Sequence, residues 1–471
     1  MRRRYLVAVT ALALAATSGC RSSGDGLAAH DVASVAGDLA RRTGADAPLP
    51  ACDEVLANAR RALLSRPLTE GSAVKLALLG NASVRASCER LGIARAELLQ
   101  AGLISNPVFS ANLKSFSAGP EVELALAQSF IDIFFVPLRR RVAAEELGAT
   151  QAQVARDLVR LVYDVRRGIV RVRGAQEVTE VRREGLAAVA AARDLMRKLH
   201  EAGNVRDADL TVEEVGAARA QMEVDVAEAL YRDARETLNV LLGLGAADSG
   251  WTIDGPLPAL PPAAISSGIE ERAIATSLDL VEQCAHVQAA LAAAGLAQRQ
   301  GGLAHMDLGA VGKREASDGA WGFGPEISTS IPIFDTGAAK VLAASARARE
   351  HAARHEQLSI EIRAAARRFL DRVTTLRARE RSMREIYLPL RARLVEQTTQ
   401  SFNAMQIGAF DVLDAKEAEA DARREHAETL AGAWLTRLDL SELLAGSLNR
   451  ERLEVFSVPE PAERPTPPKG H

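Results

Sequence analysis

Aromatic side chains are scarce in this 471-residue chain, at 4%, although 48% of it is hydrophobic. Its apolar content is therefore small and aliphatic, the kind helices favour, which argues against an aromatic-rich β-sandwich. Charge of one sign is lacking too. The 58 Lys and Arg stand against 61 Asp and Glu for a formal −3, and no basic block is longer than the Arg2, Arg3, Arg4 cluster, so nucleic acid is excluded as the partner. Beyond the first twenty residues no apolar run reaches the roughly 18 residues of a membrane-spanning helix, so any crossing falls to strands. Cysteine is sparse as well: Cys52, Cys88 and Cys284 follow Cys20 with no short spacing. That pattern gives neither a disulfide framework nor a zinc site, and the three read as small buried hydrophobes. Gly-rich phosphate loops, a G-x-S-x-G elbow and HExxH are all missing, so no enzyme and no cofactor is expected. His351 and His355, between Glu350 and Glu356, stand four apart on one helix face. Such a pair is more often a solvated coiled-coil face than a metal site, and no metal is assigned.

What is present begins with an export signal. Arg2, Arg3 and Arg4 precede the apolar run LVAVTALALAA and the small residues TSGC, the three-part layout of a secretory segment. With a Cys directly after the small residues, it resembles a bacterial lipoprotein signal in which Cys20 becomes the lipidated first residue. Thr17 stands where such signals usually carry Leu, and Arg21 in place of Asp resembles lipoproteins sent on to the outer membrane.

The chain also repeats itself. Residues 81–102 set against 277–298 pair Val84 with Leu280, Cys88 with Cys284, Leu91 with Val287 and Ala94 with Ala290. Each half runs from a short Ala-rich helix through two strand-like segments to about a hundred residues of helical pattern broken by one Gly-centred turn. The expected boundaries are a signal peptide at 1–19, a lipidated segment at 20–69, a first repeat at 70–247, a linker at 248–268, a second repeat at 269–448 and a disordered tail at 449–471. Pro256, Pro258, Pro261 and Pro262 mark the linker, and five Pro mark the tail.

Ile362, Phe369, Leu376, Met383 and Leu390 fall seven apart, as do Leu158, Val165 and Val172, so the long helices carry a narrow packing seam. From Arg139 to Ala202 a continuous helix would approach 95 Å at about 1.5 Å per residue. Pro389 should kink the second-half helix. In the strand segments Phe109, Ala111 and Leu113 alternate with Ser110, Asn112 and Lys114, and Val122, Leu124 and Leu126 with Glu121 and Glu123. Met306, Leu308 and Ala310 oppose His305 and Asp307, while Phe323, Ile327, Thr329, Ile331 and Ile333 oppose Glu326, Ser328 and Ser330. Such alternation suits a barrel wall between lipid and water, and equally a soluble sheet packed on a helix. Four strands are too few to close a membrane barrel, since known ones start at about eight, so any barrel must be shared between chains.

The segments AVKLALLGNASVRA (73–86), RAELLQAGLISNPVF (95–109), SIPIFDTGAAKVLAASARA (330–348) and QIGAFDVLDAKEAEADARRE (406–425) resemble the TolC-like outer membrane efflux proteins over roughly residues 70–446. SFIDIFFVPLRRR (129–141) lacks the Pro that Pro332 supplies in the second half. The resemblance implies a mainly α chain with a small β part, long coiled-coil helices forming a trimeric α-helical tube, and four strands per chain contributing to a shared 12-stranded β-barrel. It implies a homotrimer in outer-membrane lipid, extending into the periplasm, that passively conducts substrates from an inner-membrane pump and a periplasmic adaptor protein to the exterior. By the same resemblance Gly203, Asn204 and Gly408 belong to the tip turns that meet the adaptor. Gly203 and Gly408 would also serve as plain helix C-caps. Asp207, Asp209, Asp411 and Asp414 follow the turns, where helix N-termini favour carboxylates. Repeated by threefold symmetry, Asp411 and Asp414 would form rings and a gate. The alternative is a periplasmic coiled-coil structural lipoprotein without a pore.

Overall fold

The computed structural model describes residues 24–45, 53–116, 119–253, 255–261, 267–300, 306–315, 319–329, 333–334 and 336–454. Two leading helices, α1 (Gly24–Thr43) and α2 (Asp53–Leu64), precede two runs of the same element order. The first run is α3 (Glu70–Gly80), α4 (Ala82–Ala101), β1 (Val108–Phe116), β2 (Gly119–Ser129), α5 (Asp132–Glu201) and α6 (Asp207–Leu242). The second is α7 (Ile269–Thr276), α8 (Leu278–Gln300), β3 (Met306–Arg314), β4 (Trp321–Thr329), α9 (Ala338–Ser382), α10 (Leu388–Asn403) and α11 (Ala409–Ala445), ending in the short α12 (Glu451–Glu454). A π-turn over Met383–Tyr387 joins α9 to α10. The chain is thus mainly helical, with one four-stranded antiparallel sheet in the order β1-β2-β3-β4.

Local chemistry starts the short helices. A Thr69–Ser72 capping box opens α3, and the Asn81 side chain accepts the Ser83 amide at 2.9 Å to open α4. The 70-residue α5 spans about 105 Å and begins at Asp132, seven residues before the expected Arg139, with Pro137 inside it giving up one backbone bond in the second turn. Its seam residues Leu158, Val165 and Val172 are buried as expected. On α9 the seam holds through Ile362, Phe369, Leu376 and Met383, but Leu390 is 53% exposed. Pro389 cannot donate to the backbone four residues back, and the Leu388 amide reaches Met383 instead, so the extra residue of the π-turn swings Leu390 off the seam.

Two further expectations are corrected. Cys284 is exposed, whereas Cys88 is buried; Cys52 lies outside the described residues. The strand expected through Ile333 ends at Thr329, and Ile333 stands in a bend. At the other end, Asn449 is buried and Glu451–Glu454 form a helical turn at the start of the segment read as a disordered tail; residues 455–471 lie outside the description.

One buried ion cluster ties the halves together. Arg167 of α5, 1% exposed, meets Asp164 at 2.8 Å, Asp439 at 3.0 Å and Glu442 at 2.7 Å, the last two from α11. Burial pushes the Glu442 carboxyl above its usual range against the pull of Arg167 and of the Ser447 hydroxyl that donates to it at 2.9 Å. Nearby, the stretch after α6 straps across the helices: the Trp251 indole donates to Asn239 at 2.7 Å, the Leu68 amide to Thr252 at 2.7 Å, and the Trp434 indole to Pro258 at 2.8 Å.

Each half closes with the same lock. Gly243 ends α6 at φ +69° and Gly446 ends α11 at φ +109°, and each lies against the junction of the first two helices of its own half. A Cβ on Gly243 would stand 2.6 Å from the Gly80 carbonyl, and one on Gly446 would stand 2.4 Å from that of Thr276. Gly446→Ala is expected to cost about 2 kcal/mol or more, from the left-handed backbone plus the forced separation. A Gly250→Ala control, where a Cβ meets nothing within 4 Å, should stay within about 0.5 kcal/mol. Thermal melts of the two purified variants decide this, and equal midpoints would show that the lock carries no stability.

Candidate functional site

Two regions gather the residues singled out in the sequence: the sheet at one end of the long helices, and the helical turns far along them. In the sheet, directly opposed residues share a face, so the register Phe109↔Leu126↔Ala310↔Pro325 and Leu113↔Val122 puts the apolar sets of all four strands together. Ile327 opposite Leu308, and Phe323 opposite Gly312, extend that face. Phe323 is 82% exposed, and Phe109, Leu113 and Ile327 are exposed with it. A soluble sheet packed on a helix of the same chain would hide these side chains; here they are bare. Gly312 leaves room for the Phe323 ring, since a Cβ there would lie 2.8 Å from it, and Trp321 stacks on the same ring at 6.0 Å. The opposite face carries Asn112, Lys114, Glu123 and Ser328, and Lys313 pairs with Glu121 at 2.9 Å. Strands β1 and β4 are the sheet's outer members, so each presents one edge with no partner strand among the described residues.

Sequence reading missed the aromatic residues just past the strands. Phe130, Phe134 and Phe334 are exposed where the strands pass into helices, and Phe130 and Phe134 meet edge to face at 6.1 Å. The signal was available: eight of the 18 aromatic residues of an aromatic-poor chain fall within 108–135 and 321–334.

The α5–α6 turn is a Schellman-type end. Gly203 takes φ +76°, its amide donates to His200 at 2.8 Å, and the Asn204 amide reaches the Leu199 carbonyl at 2.9 Å. The His200 ring donates from Nδ1 to the Val205 carbonyl at 3.0 Å, and Arg206 grips Asp209 through two bonds of 2.9 and 3.0 Å. This pair holds the Asp209 carboxyl below its usual range.

The α10–α11 turn repeats the path with different residues. Met405, not Gly408, takes the left-handed position at φ +57°, and the Gln406 amide reaches Ser401 as Asn204 reaches Leu199. Gly408, at φ −80°, is the N-cap of α11 and the counterpart of Arg206. The reading of Gly408 as a left-handed helix end is corrected accordingly: the αL residue lies three positions earlier, and the side chain there is 95% exposed, so nothing opposes it sterically. Asp411 accepts the Gly408 amide at 2.9 Å and so caps the helix. Asp414 lies one turn on, and desolvation together with the Asp411 charge pushes its carboxyl above the usual range. Glu417 is raised in the same way, with Asp421 and Asp414 contributing after desolvation, so the acidic stripe on α11 is longer than the two residues picked out from sequence.

Cys20 lies outside the described residues. Among the described residues no group of three or more His, Cys, Asp or Glu is placed to hold a metal ion; His351 stacks on His286 at 5.4 Å. No described helix is long and apolar enough to cross a membrane, which leaves strands untouched as a route.

No protein-family model and no curated protein matches the chain. Solved structures do. The outer membrane protein VceC from Vibrio cholerae superposes with a TM-score of 0.65 at 17% identity, over 81% of this chain and 99% of that one. The Campylobacter jejuni CmeC outer membrane channel gives 0.70 at 14% identity over 80% and 85%. The open state of the Neisseria gonorrhoeae MtrE outer membrane channel gives 0.61 at 16% identity over 84% and 90%. The fold is therefore that of the TolC-like outer membrane channels which the sequence resembles.

The corrected turn alignment makes opposite demands on two residues. Met405→Gly should stabilise the α10–α11 turn by about 0.5–1 kcal/mol, the left-handed penalty less the added chain entropy of Gly. Gly203→Ala should destabilise its own turn by about 1 kcal/mol. Amide exchange of residues 199–206 and 401–408 reads both effects, and faster exchange in Met405→Gly would refute the equivalence.

Proposed function

We propose that the chain is one third of a trimeric outer-membrane duct, passively conducting cargo delivered by an inner-membrane pump through a periplasmic adaptor. The observation that carries this reading is the bare apolar face across four strands whose outer edges both lack partners. Buried in lipid, that face would be stabilised, and its exposed backbone edges would be satisfied by pairing β1 of one copy with β4 of the next. Twelve strands exceed the closure minimum of about eight. The aromatic residues at the strand–helix junctions suit a membrane–water boundary, and α5 is long enough to carry a tube well away from it. Cys20 would add a lipid anchor at the same membrane.

At the far end, the turns around Gly203, Asn204 and Gly408 would form the adaptor-docking tip. Met405, almost fully exposed, is the apolar side chain best placed there for a partner. Threefold repetition would bring Asp411 and Asp414 into rings, where like charges would add to the desolvation and the Asp411 charge that already push the Asp414 carboxyl up. Like charges crowded round an axis favour cations and resist closure unless Arg partners compensate.

The assembly is tested in neutral detergent. Native mass spectrometry should show a trimer, and Phe323→Arg should impair insertion, since a cation on a lipid-facing strand costs about 2–4 kcal/mol at mid-membrane. In the same preparations fatty-acid labelling should vanish in Cys20→Ser. A wild-type monomer soluble without detergent would overturn the duct and favour a pore-free scaffold.

For the gate, Asp411→Asn combined with Asp414→Asn should lower cation preference in planar-bilayer conductance while leaving the trimer intact. Unchanged selectivity in an intact trimer would reduce both carboxylates to helix-end roles.

A further inference from the structure

Midway along the helices, α5, α6, α9 and α11 border an open groove of about 550 Å³, in which Leu230 is 60% exposed. This size lies within the range of drug-sized ligand sites. Its walls are largely apolar, with Val178, Leu230, Ala234 and Leu435 among the lining side chains. Three arginines line it, Arg167, Arg171 and Arg452, together with the acids Glu428 and Asp439. Arg167 is saturated by Asp164, Asp439 and Glu442. Arg171, one turn further along α5, makes no side-chain hydrogen bond or ion pair among the described residues, and neither does Arg452. Burial and the neighbouring charges of Arg452 and Arg167 lower the pKa of Arg171 by more than Asp164 and Asp439 raise it, so an added anion would complete a pairing that those two acids leave partial.

A polar group is left over in the same place. Thr429, 1% exposed, lines the groove with a hydroxyl oxygen that has no hydrogen-bond partner. Buried hydroxyls are ordinarily satisfied; this oxygen is itself closed off behind the wall, so it marks a local cost of packing and not a ligand contact. Gly432 lies on the wall too, and a Cβ built on it meets nothing within 4 Å.

We propose that this groove binds a monoanionic amphiphile, one per chain, with its carboxylate between Arg171 and Arg452 and its hydrocarbon body along Val178, Leu230 and Leu435. An inorganic anion would leave the apolar walls bare. A two-tailed phospholipid exceeds the space. All the lining residues come from one chain, so the site goes beyond the duct reading and stands apart from it.

Laurate is the probe, added to the full-length protein held in an amphipathic polymer free of anionic detergent, with bound ligand counted by native mass spectrometry. One laurate per chain is expected, and dodecanol, the same chain without the charge, should bind at least about tenfold more weakly, as befits loss of charge-assisted bonds to two guanidiniums. Arg171→Gln should weaken laurate by about tenfold or more, and Gly432→Leu should remove binding by filling the space. Circular dichroism melts confirm that both variants remain folded. A second filling substitution, Ala234→Leu, stands in if Gly432→Leu does not fold. The proposal is overturned if wild type takes up no laurate, if laurate and dodecanol bind alike, or if binding survives both Arg171→Gln and the filling variant. It is also overturned if dilauroylphosphatidylglycerol displaces laurate, which would make the site one for membrane lipid. Because the readout is ligand count per chain, a failure here leaves trimer formation to be judged on its own measurement.

Discussion

An open sheet edge is a row of backbone donors and acceptors, and in hydrocarbon each one left unpaired costs several kcal/mol. Four strands in the order β1-β2-β3-β4 leave two such edges, and the apolar face between them is bare as well. Nothing among the described residues relieves either demand. In the proposed assembly further copies of the same sheet would relieve the first and lipid the second, so the constraint on the strands would set the assembly. Eight of the 18 aromatic residues gather at the sheet and its junctions, while the helices pack mainly on Ala, Val and Leu with a few aromatics such as Phe369 and Tyr163.

Long helices packed on small aliphatic side chains hold their register weakly. The chain compensates at mid-height, where α5 passes α11. The Arg167 cluster spans the two halves, the strap through Trp251 and Pro258 crosses the same level, and the left-handed Gly243 and Gly446 press each last helix against the first two helices of its half. A buried ion cluster is weak evidence of stability in itself, because desolvation offsets attraction. Its value here lies in register: a helix seam of Ala and Val slides easily by a turn, whereas Arg167 meets Asp164, Asp439 and Glu442 in only one position.

The periodic features were legible in the sequence because period alone reports them. Seam residues Leu158, Val165 and Val172, strand faces such as Phe109 with Leu113, and the duplicated order of elements all follow from spacing. What escaped was set by single backbone events or by distant partners. The π-turn before Pro389 adds one residue and moves Leu390 to the surface, which no heptad count foresees. Cys284 aligns with Cys88 yet is exposed, because the matching helices pack against different neighbours in the two halves. Arg171 carries no periodic signal in the sequence; that it makes no ion pair depends on Arg167 having engaged Asp164, Asp439 and Glu442.

The two tip turns show how duplication and divergence divide the work. Their backbones agree position for position, with the αL residue at 203 and 405 and the N-cap at 206 and 408. Their chemistry does not. In the first turn Gly supplies the left-handed residue at little steric cost and a side chain, Arg206, engages the helical carboxylate Asp209. In the second, Met occupies the strained position and the freed backbone amide of Gly408 engages Asp411. The strain at Met405 is of order 1–2 kcal/mol, and local packing does not repay it, because the side chain touches almost nothing. Under the duct proposal the second turn would therefore be the one with more to gain from a partner, and the glycine that drew attention in the sequence serves there to start the next helix.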